Sequence, residues 1–146
     1  MRIKRLLRIA SILLIIHVMG HTFGHLGWKN AKEPEKQEVI HQMTGHKFPF
    51  MGEERSMGDY FEGYGWACSI ALILMAILLW IISGAFSENK HLCRKIALAL
   101  MCSLFAWCLV EFLFFFPFAA CTTLLAAILT LIACIPLKDR SLLRET

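Results

Sequence analysis

Charged residues are scarce in this 146-residue sequence, and long stretches contain none. Asp, Glu, Lys and Arg together make up 18% of the residues, whereas hydrophobic residues make up 58%. The length suits one domain, but a composition this apolar excludes an ordinary soluble one. The sequence therefore indicates a protein that spends much of its length in an apolar environment.

The short motifs of several enzyme and nucleotide-binding classes are also missing. There is no Walker loop, no nucleophile elbow and no Rossmann glycine pattern. The six cysteines form no C-x-x-C pair, which argues against a thiol–disulfide oxidoreductase and favours apolar packing roles. The net charge of +4 is explained by basic residues beside the hydrophobic runs, so no nucleic acid partner is expected.

Four hydrophobic runs are long enough to cross a bilayer, since roughly 18 or more apolar residues predict a span. They cover residues 6–28, 61–86, 96–116 and 119–137. We therefore predict an all-α fold, a four-helix transmembrane bundle forming a single membrane domain over residues 1–146. The outer loop between the first two helices is residues 29–60, and Pro117 is expected to mark the reversal between the last two.

The basic residues predict how these spans are oriented, because cytoplasmic flanks carry an excess of Lys and Arg. Ten of them lie on one side of a four-span arrangement: Arg2, Lys4, Arg5, Arg8, Lys90, Arg94, Lys95, Lys138, Arg140 and Arg144. Both termini are thus expected in the cytoplasm and the long loop outside, in a bacterial cytoplasmic membrane. The first run resembles a secretory signal, but no small-x-small cleavage site follows it, which favours an uncleaved anchor.

The outer loop divides into two parts by composition. Residues 29–40 are polar and contain Pro34, which favours either a short surface helix after the proline or a mobile segment. From His41 onwards, aromatic and imidazole groups mix with glycine and proline, and we expect a loop or short helix folded over the mouth of the bundle. Ser56 is expected to cap the second helix, and Arg55 can pair with Asp59 four residues later.

Three histidines occupy one face of the first helix. His17, His21 and His25 stand at i, i+4 and i+8, so each advances about 40° around the helix from the last. Beside them lie Gly20, Gly24 and Gly27, whose missing side chains would let a partner helix approach closely. A second strip of small residues, Gly63 and Ala67, is expected on the second helix.

Glu111 is the acidic residue within the third predicted span. At ~1.5 Å per residue it lies roughly 24 Å along that span from Lys95, at a depth similar to the outer histidines. An ionisable group inside a span costs ~2.5 to 3.5 kcal/mol, so its presence indicates a function, with His21 or His25 as the partner of Glu111. Trp107 shares its face, and the candidate ligand-binding set is His21, His25, Arg55, Asp59, Glu62, Trp107 and Glu111.

Several chemistries fit this set, and the sequence leaves open whether the protein is an enzyme. The leading ligand is a lipid-like or other amphipathic small molecule acted on or bound in a His/Glu cavity in the outer half of the bilayer. Zinc or another transition metal held by His21, His25 and Glu111 is an alternative. A proton relay is also compatible, and haem fits less well because no second histidine lies in another span. A function of a different kind is also open: the chain is a structural or accessory subunit that docks a partner membrane protein, or another copy of itself, through Gly20 and Gly24.

Two stretches resemble a known group of proteins. They are His21-Thr22-x-Gly24-His25 in the first helix and Met51-Gly52-x-x-Arg55-Ser56-x-x-Asp59-Tyr60-Phe61-x-Gly63-Tyr64-Gly65 before and within the second. Together they are similar to a family of small, uncharacterised bacterial four-span integral membrane proteins with an H-T-x-G-H first helix. The likeness covers about the first seventy residues by motif and the rest by hydropathy. Met57-Gly58 departs from the family pattern, which has an aromatic pair there. The resemblance implies four spans and supplies no activity; a looser likeness to small four-helix membrane isomerases is one of fold only.

Overall fold

The computed structural model describes residues 2–135. This part of the chain is mostly helical, with five helices and one two-stranded sheet. In chain order the elements are α1 (Arg2–Gly27), α2 (Pro34–Gly45), β1 (Lys47–Phe50), β2 (Glu53–Ser56), α3 (Met57–Ala85), α4 (Lys90–Phe114) and α5 (Pro117–Cys134).

Four of these helices, α1, α3, α4 and α5, are long and apolar enough to cross a membrane. They correspond to the four predicted runs and confirm that part of the predicted fold. α1, α3 and α4 begin four to six residues before their predicted spans, because flanking residues that include charged side chains adopt helical geometry outside the apolar run. α5 begins two residues early, at Pro117, since proline is favoured at the first helical position. The last two residues of the predicted fourth span, and Lys138, Arg140 and Arg144, lie outside the described residues.

The predicted outer loop contains regular structure. α2 begins at Pro34, as expected of a proline at the first helical position, and continues five residues beyond the predicted segment to Gly45. Just before it, the pKa of Glu33 lies below its ordinary value because the carboxylate accepts its own backbone N–H and pairs with Lys36. After α2 the prediction of a loop or short helix is wrong, because residues 47–56 form a β-hairpin.

The hairpin is antiparallel and closes through a two-residue turn. Its register pairs Lys47 with Ser56 at the open end and Phe50 with Glu53 next to the turn. Both turn residues, Met51 (φ 51°) and Gly52 (φ 89°), have positive φ, as a type I′ turn requires. The tight turn places Phe50 and Met51 at the tip of the hairpin.

α3 begins with the cap that the sequence predicts. The Ser56 hydroxyl lies 3.1 Å from the Asp59 backbone N–H, and the Asp59 carboxylate accepts the Ser56 backbone N–H at 2.8 Å. This reciprocal pair is a capping box, which satisfies two N–H groups that the first turn would otherwise leave unpaired. Gly58 follows it, and a Cβ there would stand 2.8 Å from the Thr44 methyl group of α2.

The chain divides into two compact units by its internal contacts. The first is residues 15–74, which holds part of α1, all of α2 and the hairpin, and the first part of α3. The second consists of the described residues before and after that stretch. The single membrane domain inferred from the sequence stays a prediction.

In the second unit, α4 and α5 pack against each other after the reversal predicted at Pro117. The buried face of α5 consists of small side chains: Ala119, Ala120, Thr123, Ala126, Ala127, Thr130, Ala133 and Cys134. Small residues let two helix backbones come close, which is how helices associate where lipid provides no hydrophobic driving force. In the same unit, Ser11 of α1 donates a hydrogen bond to the Ala76 carbonyl of α3 at 2.7 Å.

Candidate functional site

Within the unit formed by residues 15–74, α1 and α3 run antiparallel and are joined by polar contacts. Thr22 Oγ1 lies 3.1 Å from Ser69 Oγ, and His21 Nε2 lies 3.1 Å from the Gly65 carbonyl oxygen. Just beyond the end of α1, Trp28 donates a hydrogen bond to Glu62 of α3. On α3 the contacting residues Glu62, Gly65 and Ser69 are spaced three and four apart, so they form one stripe along that helix.

His25 is the most enclosed imidazole of this contact, with 6% of its surface exposed. Trp66 meets it edge to face, with 5.5 Å between ring centroids, and the Phe61 ring lies 6.1 Å away. A Cβ on Gly65 would collide with the Cε1 and Nδ1 atoms of His25 and stand 2.8 Å from Cγ. The ring therefore lies directly against the backbone of α3.

The second ring nitrogen of His25, Nε2, is buried and forms no hydrogen bond with any described residue. A buried polar atom without a partner costs about 1–3 kcal/mol, and such atoms are rare in folded proteins. Phe61 and Trp66 flank the ring that carries this atom. A bound molecule or a buried water with a hydrogen-bonding group would satisfy this atom.

His21 is held in one orientation by its hydrogen bond to Gly65. Because a carbonyl oxygen only accepts, Nε2 of His21 carries the proton and Nδ1 has the lone pair in the neutral ring. The His21 and His25 rings are parallel, with 2° between their planes and 6.2 Å between centroids. The predicted common face of these two histidines is confirmed, and His17 is also buried.

The ends of α1 and α3 in this unit carry a small polar and aromatic cluster. Trp28 donates its indole N–H to Glu62 at 3.3 Å, and Lys29 pairs with the same carboxylate oxygen at 2.6 Å. The Trp28 ring also packs on Phe61, with 4.8 Å between centroids. An indole with one apolar side and one polar partner is typical of the membrane–water interface.

Two other predicted site residues have local structural partners. Asp59 belongs to the capping box with Ser56, and Arg55 pairs with Glu53 across 3.2 Å within the hairpin. The pairing expected from sequence spacing joined Arg55 to Asp59, whereas the hairpin turns Arg55 toward its own strand. Ligand binding by Arg55, Asp59 or Glu62 stays a prediction.

Glu111 and Trp107 lie in the other unit, on one face of α4. The Trp107 indole donates to Glu111 Oε1 at 3.0 Å, so the two side chains share a face of α4, as their i, i+4 spacing predicts. The Glu111 side chain is buried. Its predicted pairing with His21 or His25 concerns residues of different units and stays a prediction.

The predicted metal ligands His21, His25 and Glu111 belong to different units, so each unit is considered by itself. In neither unit, over the range 2–135, do three His, Cys, Asp or Glu side chains lie close enough together to hold a metal ion. His21 could offer only Nδ1 while its Nε2 donates to Gly65. Binding of zinc or another transition metal by His21, His25 and Glu111 therefore stays a prediction.

Sequence reasoning missed the residues of α3 that surround the histidines. It named Gly63 and Ala67 as the contact strip, but a Cβ at Gly63 would meet nothing within 4 Å, and Gly65 contacts His25 instead. A usable signal was present, because Phe61, Gly65 and Ser69 repeat at the same i, i+4 spacing as His21 and His25. Matching periods on two helices indicate facing stripes, although they leave the register open.

The helices and the site together define a class: a helical protein with four candidate membrane spans, two of which enclose an imidazole and aromatic cluster. No family model, curated protein or solved structure matches the chain.

Proposed function

We propose that the chain is an integral membrane protein that binds or acts on a lipid-like small molecule at His21 and His25, in the outer half of the bilayer. One observation carries the proposal: Nε2 of His25 is buried among aromatic rings and lacks a hydrogen-bond partner among the described residues. A polar group of a bound molecule would satisfy it.

The position of His25 along α1 favours an amphipathic ligand. His25 lies two residues before the end of the helix, and Trp28 and Lys29 follow with Glu62 as their common partner. Such a cluster is typical of the interface between hydrocarbon and headgroups. A lipid-like molecule bound there would offer its polar part to His25 and leave its tail in the hydrocarbon.

Removing the His25 Nε2 atom should weaken retention of the ligand. In His25→Asn the side-chain amide overlaps the near half of the ring but has no atom at Nε2, whereas in His25→Gln the amide nitrogen reaches that position. A neutral hydrogen bond contributes about 1 kcal/mol, so we expect about fivefold less co-purified lipid with Asn and near-normal retention with Gln. Lipid extracted from equal amounts of folded protein is measured by mass spectrometry, with His41→Asn on exposed α2 as control.

Equal lipid content in all four proteins would contradict the proposal. The same samples test the metal alternative, because stoichiometric zinc lost in His25→Asn would identify a metal ligand instead. Circular dichroism of each variant establishes that the helices remain, so that a lower lipid content reports binding rather than unfolding.

A second candidate function, docking of a partner membrane helix or another copy of the chain, is favoured by the glycine strip. Within its own unit, a Cβ at Gly20 or Gly24 would meet no atom within 4 Å, and both positions are exposed. Gly24→Leu would therefore fold normally by itself. If it dissociates a complex while His25→Asn leaves that complex intact, the protein is an accessory subunit.

We also propose that the membrane is the bacterial cytoplasmic membrane and that both termini are cytoplasmic, because the basic residues that flank the spans lie on one side of a four-span arrangement. In whole spheroplasts, a membrane-impermeant maleimide should label Val39→Cys in α2, because that residue lies outside. Glu88→Cys, between α3 and α4, should be labelled only after lysis. The unmodified chain gives the background from its native cysteines, and the reverse pattern would invert the proposed topology.

A further inference from the structure

The tip of the hairpin presents large apolar side chains to its surroundings. Met51 has 91% of its surface exposed and Phe50 57%. Among the described residues, Met51 is the one non-glycine residue with positive φ. It occupies a turn position where Asn or Gly would adopt this φ with less strain. An exposed apolar side chain in a strained turn does not stabilise the protein in water. Transfer of such a side chain from water into an apolar medium is favourable by about 1.5–3 kcal/mol.

The connection of the hairpin to α3 fixes where this tip can be. β2 ends at Ser56 and α3 begins at Met57, so no flexible residue separates the hairpin from a candidate membrane span. The rings of Phe48 and Phe50 lie 6.4 and 6.3 Å from that of Tyr60, in the first turn of α3. The hairpin therefore lies beside the first turn of the span.

That turn is close to the interfacial cluster described above. Tyr60 stands two residues before Glu62, a distance of about 3 Å along the helix axis. Glu62 is the residue that binds Trp28 and Lys29. An aromatic group that contacts Tyr60 thus lies at the level where tyrosine and tryptophan meet lipid headgroups.

We propose that Phe50 and Met51 insert into the outer interface of the membrane that the chain's own helices cross. The exposed tip then contacts lipid molecules directly. The charges of the hairpin cancel, since Lys47 and Arg55 stand against Glu53 and Glu54. Insertion is therefore driven by apolar burial and does not require anionic lipid. The inference rests on membrane embedding and is independent of the histidine site.

Photocrosslinking tests this contact directly. The full-length chain carrying p-benzoylphenylalanine at position 51 is reconstituted in phosphatidylcholine vesicles and irradiated, and adducts are identified by mass spectrometry. Position 112 in α4, which is exposed and within a candidate span, is the positive control. Position 39 in α2, where Val39 is 56% exposed, is the control for a surface site in water.

We expect lipid adducts at positions 51 and 112, at least tenfold above position 39, and no change when phosphatidylglycerol is added. Absence of a lipid adduct at 51, or an adduct to a second copy of the chain, would overturn the proposal. Oxidation of the unmodified chain by peroxide gives an independent measurement. In vesicles Met51 should oxidise at least tenfold more slowly than added N-acetylmethionine amide, and an equal rate would show that the tip is in water.

Discussion

Replacing Gly65 with alanine is expected to destabilise the protein, whereas the same replacement at Gly63 is not. A Cβ at position 65 would collide with the His25 ring, including Cγ, the ring atom nearest the backbone, so the whole imidazole must move. Overpacking of this kind costs about 1–3 kcal/mol. At Gly63 the added methyl group meets nothing within 4 Å, and the better helix propensity of alanine contributes up to about 1 kcal/mol. Thermal unfolding in detergent, followed by circular dichroism, compares the two variants.

The same measurement in a His25→Ala background isolates the contact. With the ring removed, alanine at 65 has room, and the cost of Gly65→Ala should fall to zero or become a small gain. Gly63→Ala should have the same effect in both backgrounds, because distant sites add independently. An undiminished cost of Gly65→Ala without the ring would place His25 elsewhere. It would also remove the enclosure on which the proposed ligand site depends.

Ala127→Leu is expected to have the other large effect. Ala127 is fully buried on the small-residue face of α5, and leucine adds three carbon atoms where α5 has only Ala, Thr and Cys side chains buried. Destabilisation of about 1–3 kcal/mol follows from overpacking, or loss of folding if α4 and α5 must separate. Ala106→Leu makes the same chemical change at an exposed position of α4 and should be nearly neutral. Unfolding by sodium dodecyl sulfate, monitored by circular dichroism, measures the stability of both variants.

If both leucine variants prove equally stable, the small residues of α5 have no packing role. Such a result would favour a loose contact between α4 and α5 that tolerates a larger side chain. Retention of normal helix content in Ala127→Leu, with a lower unfolding midpoint, is the outcome that close packing predicts.

The candidate site was partly predictable from sequence. The common face of His21 and His25 and the common face of Trp107 and Glu111 both follow from helical periodicity, and the structure confirms them. The capping box of Ser56 and Asp59 follows from local chemistry in the same way. In contrast, Arg55 was assigned to Asp59 by spacing, although the strand that precedes α3 pairs it with Glu53.

Sequence by itself determined the four long apolar helices, the reversal at Pro117 and the histidine stripe of α1, because each depends on residues within one or two turns of a helix. The tertiary structure decided that His25 lies on Gly65 rather than near Gly63, and that residues 47–56 form a hairpin against Tyr60. Those features depend on the rotation and register of segments about forty residues apart for His25 and Gly65, and about a dozen apart for Phe48 and Tyr60. Hydropathy and spacing constrain which stripe each helix presents, but the packing of specific rings against a specific backbone atom selects the register.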